Sequence, residues 1–343
     1  MTDNGIFAFN ITSSESFLEK DLKERNNSVY KTLKPVFNNI LIINGERNIF
    51  ISSKNNSCKL SAENISGNLN KRKIKNKFFT QRYINYRLNK YNQDFINTVY
   101  NNSDKTIPYN KVLKPVLYQM ETVVWSSYFS ASLKNMALIF NKYGFLLYPF
   151  FFILALALII SGKKVNILSG LSMSAGLNMM TLELIIIYLF QVHIGSLYSQ
   201  IGAITAVFML GSALGVLVEK KINSGSDNKK GISFSMILMS FVAVFLFSYS
   251  YANIINVLSG YIFLISLNLL TGLSGGMFFS SAVRNEDKNT SALIYSMDTL
   301  GAGIGSLITL SSLICRAGVN NSCLMIFTSL FILLVIIRMK KYR

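Results

Sequence analysis

The chain has 343 residues, of which 51% are hydrophobic and 15% charged, with a formal net charge of +18 at pH 7. This composition excludes a disordered chain, and the positive mean hydropathy of +0.37 is typical of a membrane protein. Its three cysteines, Cys58, Cys315 and Cys323, stand in unrelated contexts and form neither a metal motif nor a disulfide framework. Residues 1–143 hold 21 of the 34 lysines and arginines. This asymmetry predicts a basic polar domain followed by a membrane domain.

The first elements of the chain predict a small sheet. Residues 5–12 (GIFAFNIT) include an apolar run that predicts a short buried strand, and a helix follows it. Residues 38–44 and 48–52 flank an Asn44-Gly45 turn and predict a hairpin. Strand, helix and hairpin in this order are typical of the closing part of a nucleotide-binding α/β sheet whose last strand runs antiparallel. We therefore assign residues 1–110 to a partial α/β domain.

A polar, Asn- and Lys-rich stretch completes this domain and leads into a linker. Short helices are predicted at 60–70, 79–89 and 91–101. The basic run 71–77 precedes several aromatic residues, a pattern that can bind single-stranded nucleic acid. We favour a solvated face beside a membrane instead, so nucleic acid is not an expected partner. Residues 111–143 are assigned to one long amphipathic linker helix that leads to the bilayer.

Residues 144–343 predict a transmembrane helical domain of six or seven helices. Each apolar segment is close to the roughly 20 residues that a spanning helix needs. The segments lie at about 144–162, 168–192, 199–218, 232–252, 255–283, 292–314 and 319–338.

Basic residues mark one side of these segments. The connections after the first, third and fifth segments and the C-terminal tail hold Lys163, Lys164, Lys220, Lys221, Lys229, Lys230, Arg284, Lys288, Arg338, Lys340, Lys341 and Arg343. The other side holds only Arg316 and the neutral His193, so the basic connections are expected in the cytosol. If residues 144–162 also crossed the bilayer, the N-terminal domain would lie outside. We favour a cytosolic N-terminal domain on a protein of the plasma (inner) membrane.

Three polar residues of the spans are candidates for an intramembrane site: Glu183, Gln191 and Asp298. An acid in hydrocarbon is costly, so Glu183 indicates either a proton or cation site or a polar contact, for example with Asn178. Gln191 stands near a membrane boundary, where a solvated side chain is the simpler interpretation. No second histidine accompanies His193, so no metal site is expected.

The remaining intramembrane motifs favour structural roles. Asp298 precedes a glycine cluster near an expected helix start, where capping or pairing with Arg284 or Lys288 is the favoured interpretation. Small residues at GxxxG-like spacing allow two helices to approach closely. The glycines assigned to helix packing are Gly211, Gly215, Gly272, Gly276, Gly301 and Gly305.

A succession of motifs resembles one known family. The Glu183 stretch, FMLGSALG (208–215), GLSGGMFFSSAV (272–283) and GAGIG (301–305) are similar to the transmembrane portion of membrane-integrated spermidine synthase-like proteins. GIFAFNITSS near the N-terminus and NKVLKPVLYQMETVVWSS (110–127) resemble the end of the family's aminopropyltransferase-like domain, with its Rossmann-like methyltransferase-type sheet.

The resemblance implies aminopropyl transfer, with decarboxylated S-adenosylmethionine as co-substrate. The family's nucleoside-binding and catalytic motifs would precede residue 1, and its Asn-x-Asp-x-x-Pro element stands here as Asn110 to Pro115, with Val112 in place of the acid. A carboxylate is needed to hold the amine and accept its proton. This chain alone is therefore expected to bind no cofactor and to have no catalytic residue.

Three functional interpretations follow. In the first, the chain completes a split enzyme by pairing with a separately encoded N-terminal half. In the second, it is a non-enzymatic bundle that binds or transports a small cation such as a polyamine. In the third, it is an inactive, truncated remnant. The lipid bilayer is an expected partner in all three, and assembly into a homo-oligomer stays open.

Overall fold

A computed structural model describes the chain except for short gaps, and it divides into two compact units. The described residues are 5–15, 17–55, 62–74, 80–101, 106–195, 197–222, 228–251 and 257–339. The first unit comprises residues 1–111 and 116–137, and the second comprises residues 112–115 and 138–343.

The first unit begins with a three-stranded antiparallel sheet. Its elements are β1 (Ile6–Thr12), α1 (Lys20–Leu33), β2 (Asn39–Ile43) and β3 (Arg47–Ser53). The strand order is β1-β3-β2, and β3 is antiparallel to both neighbours. The two outer strands are therefore parallel to each other and are joined through α1. The predicted hairpin and first strand are confirmed in place.

One face of this sheet forms the core of the unit. Phe9 of β1 and Phe50 of β3 stack with ring centroids 5.2 Å apart, and Val29 and Leu33 of α1 belong to the same cluster. The prediction that the first strand is buried is wrong, because most of β1 is exposed, including Ile6 at 56%. Within the described residues no strand pairs with the outer edge of β1.

Short helices follow the sheet. They are α2 (Ala62–Lys71), α3 (Gln81–Arg87), α4 (Lys90–Asn101), α5 (Val116–Phe129) and α6 (Ala131–Tyr143). The prediction of one continuous linker helix is wrong, because the helix is interrupted at Ser130, where α5 ends and α6 begins. Ser130 stands at the break, and its Oγ accepts a hydrogen bond of 3.1 Å from the amide of Leu133. A serine in this position caps a new helix. Part of the predicted basic run, residues 75–77, lies outside the described residues.

The second unit is a bundle of long apolar helices. They are α7 (Leu147–Ile160), α8 (Lys164–Ile194), α9 (Leu197–Ile222), α10 (Asn228–Tyr251), α11 (Val257–Val283), α12 (Lys288–Ile308), α13 (Ile314–Ala317) and α14 (Val319–Met339). A π-helical turn at Thr309–Leu313 joins α12 to α13. Seven helical stretches are long and apolar enough to cross a bilayer, which confirms the predicted number of apolar segments and supports a membrane protein. The first stretch, Ala131–Ile160, begins inside the predicted linker and not at residue 144.

Candidate functional site

Two pairs of parallel helices organise the bundle. In the first pair, Gly176 and Gly301 bring α8 and α12 into backbone contact. A Cβ on Gly176 would come within 2.2 Å of the carbonyl oxygen of Asp298, and one on Gly301 within 2.1 Å of that of Met173. Gly305 similarly faces the carbonyl of Leu177. The contact moves from Met173 with Gly301 to Leu177 with Gly305, so residue numbers increase in the same direction along both helices. The two helices therefore run parallel.

The second pair has the same construction. Gly211 and Gly215 of α9 lie against the carbonyl oxygens of α11, and Gly272 and Gly276 of α11 lie against those of α9. Added Cβ atoms would come within 2.0–2.3 Å of those oxygens at all four positions. Because glycine has no Cβ, the backbones of α9 and α11 can come into contact, as is common between helices in a membrane.

Glu183 lies on the side of α8 that faces α11. It follows Met179 by one turn and precedes Phe190 by two, and such positions share a helix face. A Cβ on Gly275 of α11 would meet the Met179 sulfur at 2.0 Å, and Phe190 packs on Tyr261 of α11. Glu183 is 6% exposed. Within the described part of the chain, its carboxylate has no hydrogen bond and no ion pair.

Asp298 lies nearer to the starts of α8 and α12 than Glu183 does. Its carbonyl is level with Gly176, and two turns of α8, about 10 Å of rise, separate Gly176 from Glu183. Its side chain is half-buried. The structure therefore does not bring the two acids into direct contact.

Among the described residues, Asp298 does not pair with the partners expected for it. The prediction that it lies near a helix start is wrong, because α12 begins at Lys288 and is capped there by Asp287, whose Oδ2 accepts from the amide of Asn289 at 3.2 Å. A hydrogen bond from the side chain of Thr290 to Asp287 lowers the pKa of that carboxyl. No ion pair joins Asp298 to Lys288 among the described residues.

Arg284, the other expected partner of Asp298, pairs with an acid that the sequence did not single out. Glu219, near the end of α9, is 1% exposed and lies 3.5 Å from the Arg284 guanidinium. The Oγ of Ser280 donates to the same carboxylate at 3.0 Å. Glu219 stands beside two lysines in the sequence, which is why it resembled a solvated loop residue.

Gln191 and His193 lie at the other end of α8, away from both acids. His193 is exposed, and its ring lies edge-on to that of Tyr249 of α10, with centroids 5.2 Å apart. The helix ends at Gly195, whose φ of +77° is a left-handed conformation that favours glycine.

A buried polar cluster between three helices was not predicted. Oδ1 of Asn178 on α8 accepts from the hydroxyl of Tyr148 on α7 at 2.5 Å and from that of Ser329 on α14 at 2.9 Å. Its amide nitrogen donates to the carbonyl of Ser174 at 2.8 Å. Asn178 is therefore not the partner of Glu183. In the sequence, Tyr148, Asn178 and Ser329 each stand within an apolar segment, and this is the signal that could have marked them as candidates for a buried contact.

The open face of the sheet in the first unit forms an apolar cleft of about 530 Å³. Its walls include Ile6, Ala8 and Ile51 of the sheet, Leu69 of α2 and Ile84 of α3. Arg87 is the charged residue among those lining it, and its guanidinium pairs with Glu15.

No group of three His, Cys, Asp or Glu side chains suited to a metal ion is found among the described residues. Comparison with known proteins gives no match to a family model, to a curated protein or to a solved structure.

Proposed function

We propose that this chain is an integral membrane protein of the spermidine synthase-like kind. Its bundle would hold a small α/β unit that completes the transferase sheet of a separately encoded partner. The observation that carries the proposal is the sheet itself, with β3 antiparallel between β1 and β2 and an outer edge of β1 that pairs with no strand in the described part of the chain.

The strand arrangement supports the resemblance. A strand, a crossover helix, a parallel strand and a final antiparallel strand inserted between them match the closing part expected of a Rossmann-like methyltransferase-type sheet. In this proposal β1 is an inner strand of the completed sheet, and the partner's strands continue beyond it.

The exposed edge gives a physical reason for the partner. An unpaired strand edge with apolar side chains is a template for pairing with another chain. Ile6 and Phe7 of β1 are both exposed, and they point to opposite faces of the sheet. Strands added at this edge would satisfy its backbone groups and cover both side chains.

Catalysis would then depend on the partner. Val112 replaces the acid of the family's element, so the partner would supply the carboxylates and the binding site for decarboxylated S-adenosylmethionine. This division of roles accounts for an expected absence of activity in the isolated chain.

The test is co-purification of the full chain from its native membranes in mild detergent. We expect a stoichiometric partner carrying a glycine-rich nucleotide-binding turn, and we expect Ile6→Lys at the strand edge to release it. Val36→Lys, at an equally exposed apolar residue outside the sheet, is the matched control. A stable chain that recovers no such partner would contradict the proposal.

A second candidate function, binding or movement of a small cation such as a polyamine, is favoured by one observation. Glu183 is buried in the bundle without a partner among the described residues, and intramembrane acids often mark ion pathways. Polyamine uptake into vesicles that is lost in Glu183→Gln would support it, whereas unchanged uptake would count against it.

A further inference from the structure

We propose that Glu183 is the centre of a monovalent cation site on the seam of α8 with α11 and α12, where a proton and a small inorganic or ammonium-type cation compete. This inference rests on the second candidate function and concerns binding only. It does not require that the cation be carried across the membrane.

The position of Glu183 follows from the helix register. Two turns before it, Gly176 faces α12, and one turn before it, Met179 faces α11. Residues two turns apart lie nearly above one another on a helix. Glu183 therefore lies between the two contact surfaces of α8.

The wall opposite Glu183 is formed by α11. Gly275 faces Met179, and α8 and α11 run antiparallel because Phe190 packs on Tyr261. One turn back from Gly275, Thr271 is therefore level with Glu183. The Thr271 hydroxyl donates to the carbonyl of Leu267 at 2.8 Å, which leaves its oxygen lone pairs able to accept a donor or contact a cation.

Among the described residues, this carboxylate has no ion-pair partner. Among the side chains that the structure describes, the titratable groups on the helices packed against α8 lie at other positions: Lys288, Tyr295 and Asp298 on α12, Tyr261 on α11, Glu219, Lys220 and Lys221 on α9, Lys229, Lys230 and Tyr249 on α10, Tyr148 on α7, and Cys323 and Arg338 on α14. Asp298 is about two helical turns away, and Tyr148 is bonded to Asn178. Since none of these groups pairs with Glu183, we infer that its negative charge is neutralised by a proton or by a cation from solution.

The small number of acidic groups at this position indicates a monovalent ligand. A divalent ion is normally held by several protein oxygens. No group of three acidic, histidine or cysteine side chains suited to a metal is found in the described ranges. One carboxylate with hydroxyl and carbonyl oxygens balances a single positive charge.

The test is modification of the full-length wild-type protein with N,N′-dicyclohexylcarbodiimide, which reacts with protonated carboxyls in apolar surroundings. Peptide mass spectrometry reads the modified residue. We expect Glu183 to be modified and Glu219 to be spared, because Glu219 is equally buried but paired with Arg284. At fixed pH, sodium, potassium or methylammonium chloride should reduce the labelling of Glu183 several-fold, relative to choline chloride at equal ionic strength.

Two results would overturn the site: an unmodified Glu183 in folded protein, or labelling that none of the three cations reduces. Because the measurement uses the wild-type chain, a misfolded variant cannot explain either result. Cation-sensitive labelling without polyamine uptake would retain the site and reject transport. Uptake without labelling would reject the site and retain transport.

Discussion

The hydroxyl of Tyr148 donates a hydrogen bond of 2.5 Å to Oδ1 of Asn178, and Ser329 bonds to the same oxygen. The three residues tie α7, α8 and α14 together inside the apolar core. Hydrogen bonds between membrane helices are individually modest, because partners are also found in the unfolded state within the bilayer.

Tyr148→Phe should therefore destabilise the bundle by about 1 kcal/mol. Ser329→Ala should cost about the same, and the double variant should cost more than the sum, because either hydroxyl alone still donates to Oδ1 of Asn178, whereas removal of both leaves this buried acceptor unsatisfied. Thermal unfolding in detergent is the measurement. Strict additivity of the two changes would show that the bonds do not cooperate.

Gly301→Ala should destabilise the α8–α12 pair by about 1–3 kcal/mol, as overpacking does in a tight core. The added Cβ would come within 2.1 Å of the Met173 carbonyl oxygen, so the helices must separate. Gly303→Ala on the same helix is the matched control, because nothing lies within 4 Å of its Cβ position. Its melting temperature should stay equal or rise slightly, and equal losses in both variants would refute the packing role.

In the first unit, Arg25→Met should lower stability by about 2 kcal/mol, the scale of a lost charged hydrogen bond. Arg25 is 4% exposed, bonds to Glu121 at 2.8 Å and donates to the Thr12 carbonyl at 2.6 Å. Lys20→Met is the control, since Lys20 lies 4.0 Å from its partner on an open surface. Limited proteolysis reports on this unit, and equal cleavage of both variants would argue against the buried pair.

Alkaline pH should destabilise the first unit through Tyr100. Burial raises the pKa of Tyr100 from 10.0 to about 12, although the Asn48 amide donates to its hydroxyl at 2.8 Å. Between these values the unfolded chain loses the phenol proton while the folded chain retains it, so stability falls as pH rises. The full loss is about 2–3 kcal/mol. Phenolate absorbance and proteolysis against pH should show this component in wild type and not in Tyr100→Phe.

Sidedness can be tested with single cysteines in a background without Cys58, Cys315 and Cys323. If the N-terminal unit is cytosolic, a cysteine at Lys20 or at Lys221 should react with an impermeant maleimide only after the cells are opened. A cysteine at Val192 should react in intact cells. Reaction at Lys20 in intact cells would place that unit outside.

Periodicity and length located the strands of the sheet and the seven apolar helices, because those features depend on local sequence. Burial could not be inferred in the same way. The strand at Ile6 is as apolar as a core strand, yet it lies at an edge, and edge position depends on which strands are neighbours.

The burial and the partners of the polar residues could not be inferred from local sequence either. Glu183 was identified because it interrupts an apolar run, whereas Glu219, more deeply buried, resembled its lysine neighbours. Pairing of Arg284 with Glu219, and of Asn178 with Tyr148 and Ser329, depends on which helices meet. Helix contacts at long sequence separation are not encoded in spacing along one segment.

The glycine contacts also determine where the bundle can move. Backbone held against backbone makes α8 with α12, and α9 with α11, into two stiff bodies, since close-packed surfaces resist gradual deformation. The two pairs meet where α8 contacts α11. Glu183 lies at this boundary, so we expect any change in its charge to act between the two pairs and not within either one.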